Sequence, residues 1–222
     1  MNLTTLIPIA ILIAAVIFIK LLPRLIVRQV ARVAFSKIGE KALANVPEQI
    51  QLAQVAAPQW KNSAVVQQQA GPLLQSGFSD LGTFSVDKMP GALLRMLFHA
   101  KTFAAAHIFE HPKAGNWIEF VTRYTDGSGD YLATLPDQGI ASPPWVRMVR
   151  ADQRTPTDRL FQHHLAQREV DGIKPVAARE VVHEFEDAYM RYMIWKNNKG
   201  ITPEEVAHVM RRWAQAKGAG QP

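Results

Sequence analysis

Four side chains of this 222-residue sequence have types and spacings that acid–base or metal chemistry uses. Glu180, His183 and Glu184 lie close together in a stretch with helical periodicity, and Glu180-Val-Val-His183 has the Glu-x-x-His spacing of di-iron helix bundles. His107 falls in the middle of a predicted strand, on its apolar side. We treat these four residues as candidates for an acid–base or metal site.

The alternative is that the polar residues near His183 form a solvated helix face. A di-iron bundle needs two Glu-x-x-His pairs and two further glutamates on facing helices. A zinc protease needs a second histidine four residues after His183, where the sequence has Asp187. Apolar residues of the same stretch recur at helical spacing on the other side: Val181, Phe185, Ala188, Tyr189 and Tyr192. This pattern predicts a core-facing stripe with Asp187 and His183 paired in solvent, and no metal or cofactor.

Composition excludes several kinds of site. The chain has no cysteine, so disulfides, cysteine-ligated zinc, iron–sulfur clusters and a cysteine nucleophile are excluded. The net charge is +6, and a short segment that contains one acidic residue, Glu40, carries five of these charges. Its basic residues are Lys20, Arg24, Arg28, Arg32, Lys37 and Lys41. Because the remaining chain is nearly neutral, we expect no nucleic-acid binding, and we expect these residues to contact anionic lipid head groups.

Residues 1–23 are predicted to form a transmembrane anchor. The apolar run from Leu3 to Leu22 holds about 20 residues, the length that crosses a ~30 Å hydrocarbon core. Its start has no basic residue and no small-residue cleavage site precedes Pro23, unlike a secretory signal peptide. Since the nearby lysines and arginines all follow the run, the N-terminus is expected outside and the rest of the chain in the cytoplasm.

The rest of the sequence divides into four parts. Residues 24–44 predict a basic amphipathic helix, which lies at the membrane interface or continues the anchor as a stalk packed against a partner. Residues 45–70 are rich in glutamine and alanine and are interpreted as a linker. A soluble domain over residues 71–217 and a flexible tail over residues 218–222 follow.

The domain is predicted to be α+β. Six segments read as strands by alternation or composition: residues 83–86, 93–99, 103–110, 117–124, 131–135 and 145–150. Their short connections indicate antiparallel neighbours. Helical segments follow, the last opened by a capping box of Thr202 and Glu205. We therefore expect an antiparallel sheet of five to six strands with two or three C-terminal helices packed on one face.

Two classes of function fit these features. The first is a membrane-tethered, non-enzymatic protein-interaction module or accessory subunit of a membrane complex, whose partner is another protein or a second copy of the chain. The second is a small membrane-bound enzyme or a ligand sensor with a pocket between sheet and helices. A pocket lined by His107 with Glu180, His183 or Glu184 favours the enzyme, and an exposed apolar patch favours the interaction module. Aromatic residues also form a binding groove if several of the tryptophans converge: Trp117, Trp145, Trp195 and Trp213.

Overall fold

The computed structural model describes residues 33–41, 43–137 and 139–218, with side chains as far as Arg212. Within these residues the fold is α+β, with seven strands and five helices. No helix in this part of the chain is long and apolar enough to cross a membrane. The predicted anchor (residues 1–23), the basic residues Lys20 to Arg32 and residues 219–222 of the predicted tail lie outside the described residues.

The described chain divides into two compact units. The central unit runs from Pro47 to Lys199, and the terminal unit combines residues before Pro47 with those from Gly200 onward. All seven strands belong to the central unit: β1 (Leu52–Gln54), β2 (Ser79–Val86), β3 (Leu93–His99), β4 (Ala104–His111), β5 (Gly115–Arg123), β6 (Gly129–Ala133) and β7 (Val146–Arg150). They form one sheet in chain order, antiparallel from β1 to β6, with β7 parallel to β6.

The sheet is larger than predicted, and it is mixed. The sequence predicts β2 to β7, with some ends shifted, but not β1, whose three residues lie in the stretch 45–70 that we interpreted as a linker. This stretch also contributes most of a helix that starts at Ser63. The last pair of strands is parallel because the connection between Ala133 and Val146 has about a dozen residues, long enough to return the chain to the same end of the sheet.

Helices cover both faces of this sheet, so the prediction that they pack on one face is wrong. The helices of the central unit are α2 (Ser63–Gln75), α3 (Thr157–Gln167) and α4 (Val181–Lys199), with a 3-10 turn at Ala178–Glu180 before α4. Side chains of α2 and α3 pack on one face in a cluster that includes Leu73, Phe161 and Phe120. Val182 and Phe185 of α4 pack on the other face. The reason is that β3 to β5 carry apolar residues on both sides, and each apolar face needs a cover.

The terminal unit contains α1 (residues 33–41 and 43–44) and α5 (Pro203–Gly218). Lys37 and Lys41 are exposed on α1. Gly39 of α1 is buried, and a Cβ atom added to it would lie 2.8 Å from the carbonyl oxygen of Ile201. The glycine therefore permits a close approach of the two segments.

Candidate functional site

Three of the four candidate acid–base residues have structural partners near the surface. Glu180 Oε2 accepts a backbone N–H at 3.0 Å just before α4. His183 is exposed and its Nε2 lies 3.3 Å from Asp187 Oδ2, as the spacing predicts. Glu184 Oε1 accepts a hydrogen bond from Lys174 Nζ at 2.6 Å. Each of the three side chains thus has its own partner near the start of α4, and none of these contacts joins one candidate to another.

The fourth candidate, His107, is 2% exposed on β4. Neither ring nitrogen has a hydrogen-bond partner among the described residues, and Nδ1 lies 3.6 Å from Glu119 Oε1. The ring packs edge-on against Phe185, with centroids 5.0 Å apart. His107 and Glu184 both line a cavity of about 30 Å³. Since that volume is the share of one water molecule in the liquid, this cavity is too small for an organic substrate.

The Glu-x-x-His spacing occurs a second time, at Glu205 and His208 of α5. Glu205 Oε2 accepts the backbone N–H of Thr202 at 2.7 Å, and the N–H of Glu205 donates to Thr202 Oγ1 at 3.2 Å. The predicted capping box is thus confirmed, and it occupies Glu205. Within the described part of the chain, no three His, Asp or Glu side chains are grouped closely enough to hold a metal ion.

A cavity of about 410 Å³ lies between the sheet and α4 in the central unit. Its volume falls within the range of about 300–1,000 Å³ that small-molecule sites occupy. At one end Glu110 and His111 belong to a lining that is otherwise apolar and aromatic: Ile50, Val86, Met89, Leu93, Phe109 and Trp117. Phe109 and Trp117 are paired across β4 and β5, and their rings stack with centroids 4.5 Å apart.

The helix wall of this cavity is the apolar stripe predicted for α4. Phe185, Ala188, Tyr189 and Tyr192 all line the cavity, at the i, i+3, i+4 and i+7 spacing of one helix face. Ala188 has the smallest of these side chains and leaves space between the larger ones. The stripe therefore covers the sheet without filling the space above β5 to β7.

The other end of the cavity carries arginines. Arg123 Nη1 donates to the Tyr131 hydroxyl at 2.7 Å, and its guanidinium lies 5.6 Å from that ring centroid. Arg191 Nη2 donates to the Gly127 carbonyl at 3.3 Å, and its guanidinium lies 5.6 Å from the Trp145 ring centroid. All five residues line the cavity. Trp117 and Trp145 thus line the same cavity at its two ends, and Trp195 is not among its lining residues.

Positive charge outweighs negative charge in the lining. Arg123, Arg150 and Arg191 line the cavity, and none of them forms an ion pair with a described carboxylate. Both oxygens of Glu110 accept backbone N–H groups at 2.8 Å, and Glu119 faces His107. Burial raises the pKa of the nearby Tyr131 phenol, and the charges of Arg123 and Arg191 oppose that rise. An anion entering this end meets the guanidinium groups of Arg123 and Arg191, neither of which forms an ion pair with a carboxylate in the described part of the chain.

A separate polar network lies on the opposite face of the sheet, beside a cavity of about 160 Å³. Asp130 accepts hydrogen bonds from Arg147, from the Tyr124 hydroxyl and from the Glu169 N–H. Burial raises the pKa of Asp130, but these hydrogen bonds and the charge of Arg147 outweigh it and lower the pKa overall. Since each polar group has a partner, this network stabilises the junction of β6, β7 and α3.

The sequence analysis did not find the large cavity or its arginines. Arg191 follows Asp187 by four residues and so belongs to the helix side that the sequence predicts to be solvated, and its contacts with Gly127 and Trp145 depend on how α4 docks. The alternation of Trp117, Glu119 and Arg123 on one side of β5 is a signal that could have placed an arginine on a buried face.

Comparisons of the chain with known proteins found no matching family model, no similar curated protein and no similar solved structure.

Proposed function

We propose that the central unit is a binding domain for an apolar small molecule and that the N-terminal segment tethers it to a membrane. The observation that carries the proposal is the cavity of about 410 Å³ between the sheet and α4. It combines the size of a ligand site with an apolar lining and a few polar groups, which is the usual composition of such sites. This function belongs to the ligand-sensor class that the sequence left open.

Packing supports this proposal. The atoms that line a cavity have no protein neighbour on one side, and an apolar ligand makes van der Waals contacts with them there. The large rings of Phe109, Trp117 and Tyr192 offer wide apolar surfaces to a ligand. Burying that surface from water drives binding by roughly 25 cal/mol per Å² of apolar area. The lining therefore favours a hydrophobic molecule over a sugar or a nucleotide.

The membrane tether is supported by the sequence alone. The uncharged run before Lys20 has the length of a membrane span, and basic residues follow it. Apolar molecules concentrate in bilayers, so a tether would hold the cavity beside a source of its ligand. Anionic head groups remain the proposed partners of the basic segment. The protein-interaction hypothesis stays a prediction from the sequence.

Blocking the cavity tests the function. Ala188→Trp places an indole into the cavity from α4, whereas Ala166→Trp places the same side chain on an exposed position of α3. The full chain and both variants are purified in lipid nanodiscs, and bound small molecules are extracted and identified by mass spectrometry against empty nanodiscs. We expect an apolar compound with the wild type and with Ala166→Trp, and its loss with Ala188→Trp.

Circular dichroism checks that each variant is folded, and Ala188→Leu replaces Ala188→Trp if the larger side chain prevents folding. The proposal is contradicted if no compound is enriched over empty nanodiscs and no apolar compound binds when it is added to the purified full chain. It is also contradicted if the folded Ala188 variant retains the compound as fully as the wild type.

A further inference from the structure

We propose that the ligand of the large cavity is an amphipathic anion, with one apolar chain or ring system and one carboxylate or phosphate group. The anionic group is placed at Arg123 and Arg191, and the apolar part extends toward Trp117. This inference rests on the proposed function and adds the chemical class and the orientation of the ligand.

The two ends of the cavity fix the orientation. Trp117 and Arg123 lie on the same face of β5, six positions apart, so about 20 Å of strand separates them at 3.3 Å per residue. Phe109 lies beside Trp117, since the two residues pair across β4 and β5, and Leu93 lines the same cavity. A ligand that fills this length has its apolar end among these side chains and its other end at the arginines.

The arginine end suits an anion. Arg123 and Arg191 are held by the neutral acceptors Tyr131 Oη and Gly127 O, so each keeps a full positive charge and has unused N–H donors. Arg150 lies nearer the Trp117 end, since it pairs with Ala133, which pairs with Glu119, and its guanidinium donates to the Leu135 carbonyl. Planar guanidinium groups bind carboxylates and phosphates by paired hydrogen bonds.

The charge distribution disfavours the other ligand classes. A cationic head group at this end would lie against the guanidinium groups of Arg123 and Arg191, which repel it. A wholly neutral apolar molecule would leave the arginines beside an apolar surface without an anionic partner, at a desolvation cost. Glu119, a described carboxylate on the same face as Arg123, lies four residues from it along β5 and faces His107. It therefore does not cancel the charge at the arginine end.

Three ligands that differ only in the head group test the inference: decanoate, decyl phosphate and decanol. The full chain in phosphatidylcholine nanodiscs is titrated calorimetrically, with empty nanodiscs as the blank and inorganic phosphate as a fourth ligand. We expect decanoate or decyl phosphate to bind at least about tenfold more tightly than decanol, because hydrogen bonds to charged groups are the stronger ones. Inorganic phosphate should bind weakly, since it lacks the apolar part.

Two variants separate the arginines from the rest of the fold. Arg191→Gln removes an exposed guanidinium of the cavity, and Arg159→Gln removes an exposed guanidinium of α3 on the other face of the sheet. We expect Arg191→Gln to reduce affinity for the anionic ligands about tenfold and leave decanol unchanged, and Arg159→Gln to change neither. Arg123→Gln should act like Arg191→Gln.

The outcomes distinguish the two proposals. If decanoate, decyl phosphate and decanol bind equally and Ala188→Trp blocks them all, the anion inference is overturned and the proposed function stands. If inorganic phosphate binds as tightly as decyl phosphate, the site is an anion site without an apolar part, and the inference is overturned. If none of the decyl compounds binds, the proposed function itself fails.

Discussion

The pH dependence of stability should be set in part by His164, a 2% exposed residue of α3. Its Nε2 is hydrogen-bonded to Thr122 Oγ1 at 2.9 Å, and its ring stacks on Phe120 with centroids 6.0 Å apart. Burial, helped by the charge of Arg168, lowers the pKa of His164 from its ordinary 6.5 to about 4. The folded protein therefore holds a neutral histidine that the unfolded chain protonates below pH 6.5.

The sign and size of the effect follow from proton linkage. Between pH 6.5 and about 4 the unfolded chain binds a proton that folded His164 does not bind, so the free energy of unfolding falls as the pH falls through this window. Above pH 6.5 the contribution of His164 is fully present. A difference from 6.5 to about 4 corresponds to about 3 kcal/mol, at roughly 1.4 kcal/mol per pH unit.

Urea denaturation at a series of pH values, followed by tryptophan fluorescence, measures this loss. His164→Gln keeps a polar group for Thr122 but cannot take the proton. From pH 7 to 4 the free energy of unfolding of the wild type should therefore fall about 3 kcal/mol further than that of the variant. His163→Gln, which alters the exposed neighbouring histidine, should follow the wild type. Equal pH dependence of the wild type and His164→Gln would refute this reasoning.

Two further substitutions test parts of the fold. Asp130→Asn removes the carboxylate that accepts hydrogen bonds from Arg147 and Tyr124. Because hydrogen bonds to a charged group are lost, the free energy of unfolding measured in urea should fall by about 2–3 kcal/mol, and a change under about 0.5 kcal/mol would contradict this role. Gly39→Ala places a Cβ atom 2.8 Å from the Ile201 carbonyl oxygen, so the two segments must move apart, at about 1–3 kcal/mol. Amide hydrogen exchange over residues 33–41 should then be faster, whereas Gly71→Ala, at a position with open space, should leave it unchanged.

Local patterns predicted much of the fold. Alternation defines β3 and β5 because each of their faces meets a different layer, and Thr202 with Glu205 marks the start of α5 because a capping box is a local interaction. The strand β1 could not be predicted, since its Leu-Ala-Gln sequence has no alternation and is fixed by pairing with β2. The parallel direction of β7 depends likewise on where its long connection returns.

The candidate site was less predictable because it depends on how α4 docks on the sheet. The stripe from Val181 to Tyr192 is readable at helical spacing, and its predicted inward direction is confirmed. Sequence spacing does not tell whether such a stripe packs tightly or spans a cavity. The place of Arg191 beside Gly127 and Trp145 results from that docking. The membrane anchor and its orientation stay predictions.

Photo-crosslinking in a membrane tests the central claim most directly. The full chain in phosphatidylcholine nanodiscs is irradiated with a hexadecanoate, whose extended chain is long enough to reach from Arg123 to Trp117, that carries a diazirine at the end of its chain, and labelled residues are mapped by mass spectrometry. The account predicts labelling near Leu93, Phe109 and Trp117, loss of that labelling in Ala188→Trp, and competition by decanoate more than by decanol. Labelling confined to other surfaces, unchanged by Ala188→Trp, would contradict it.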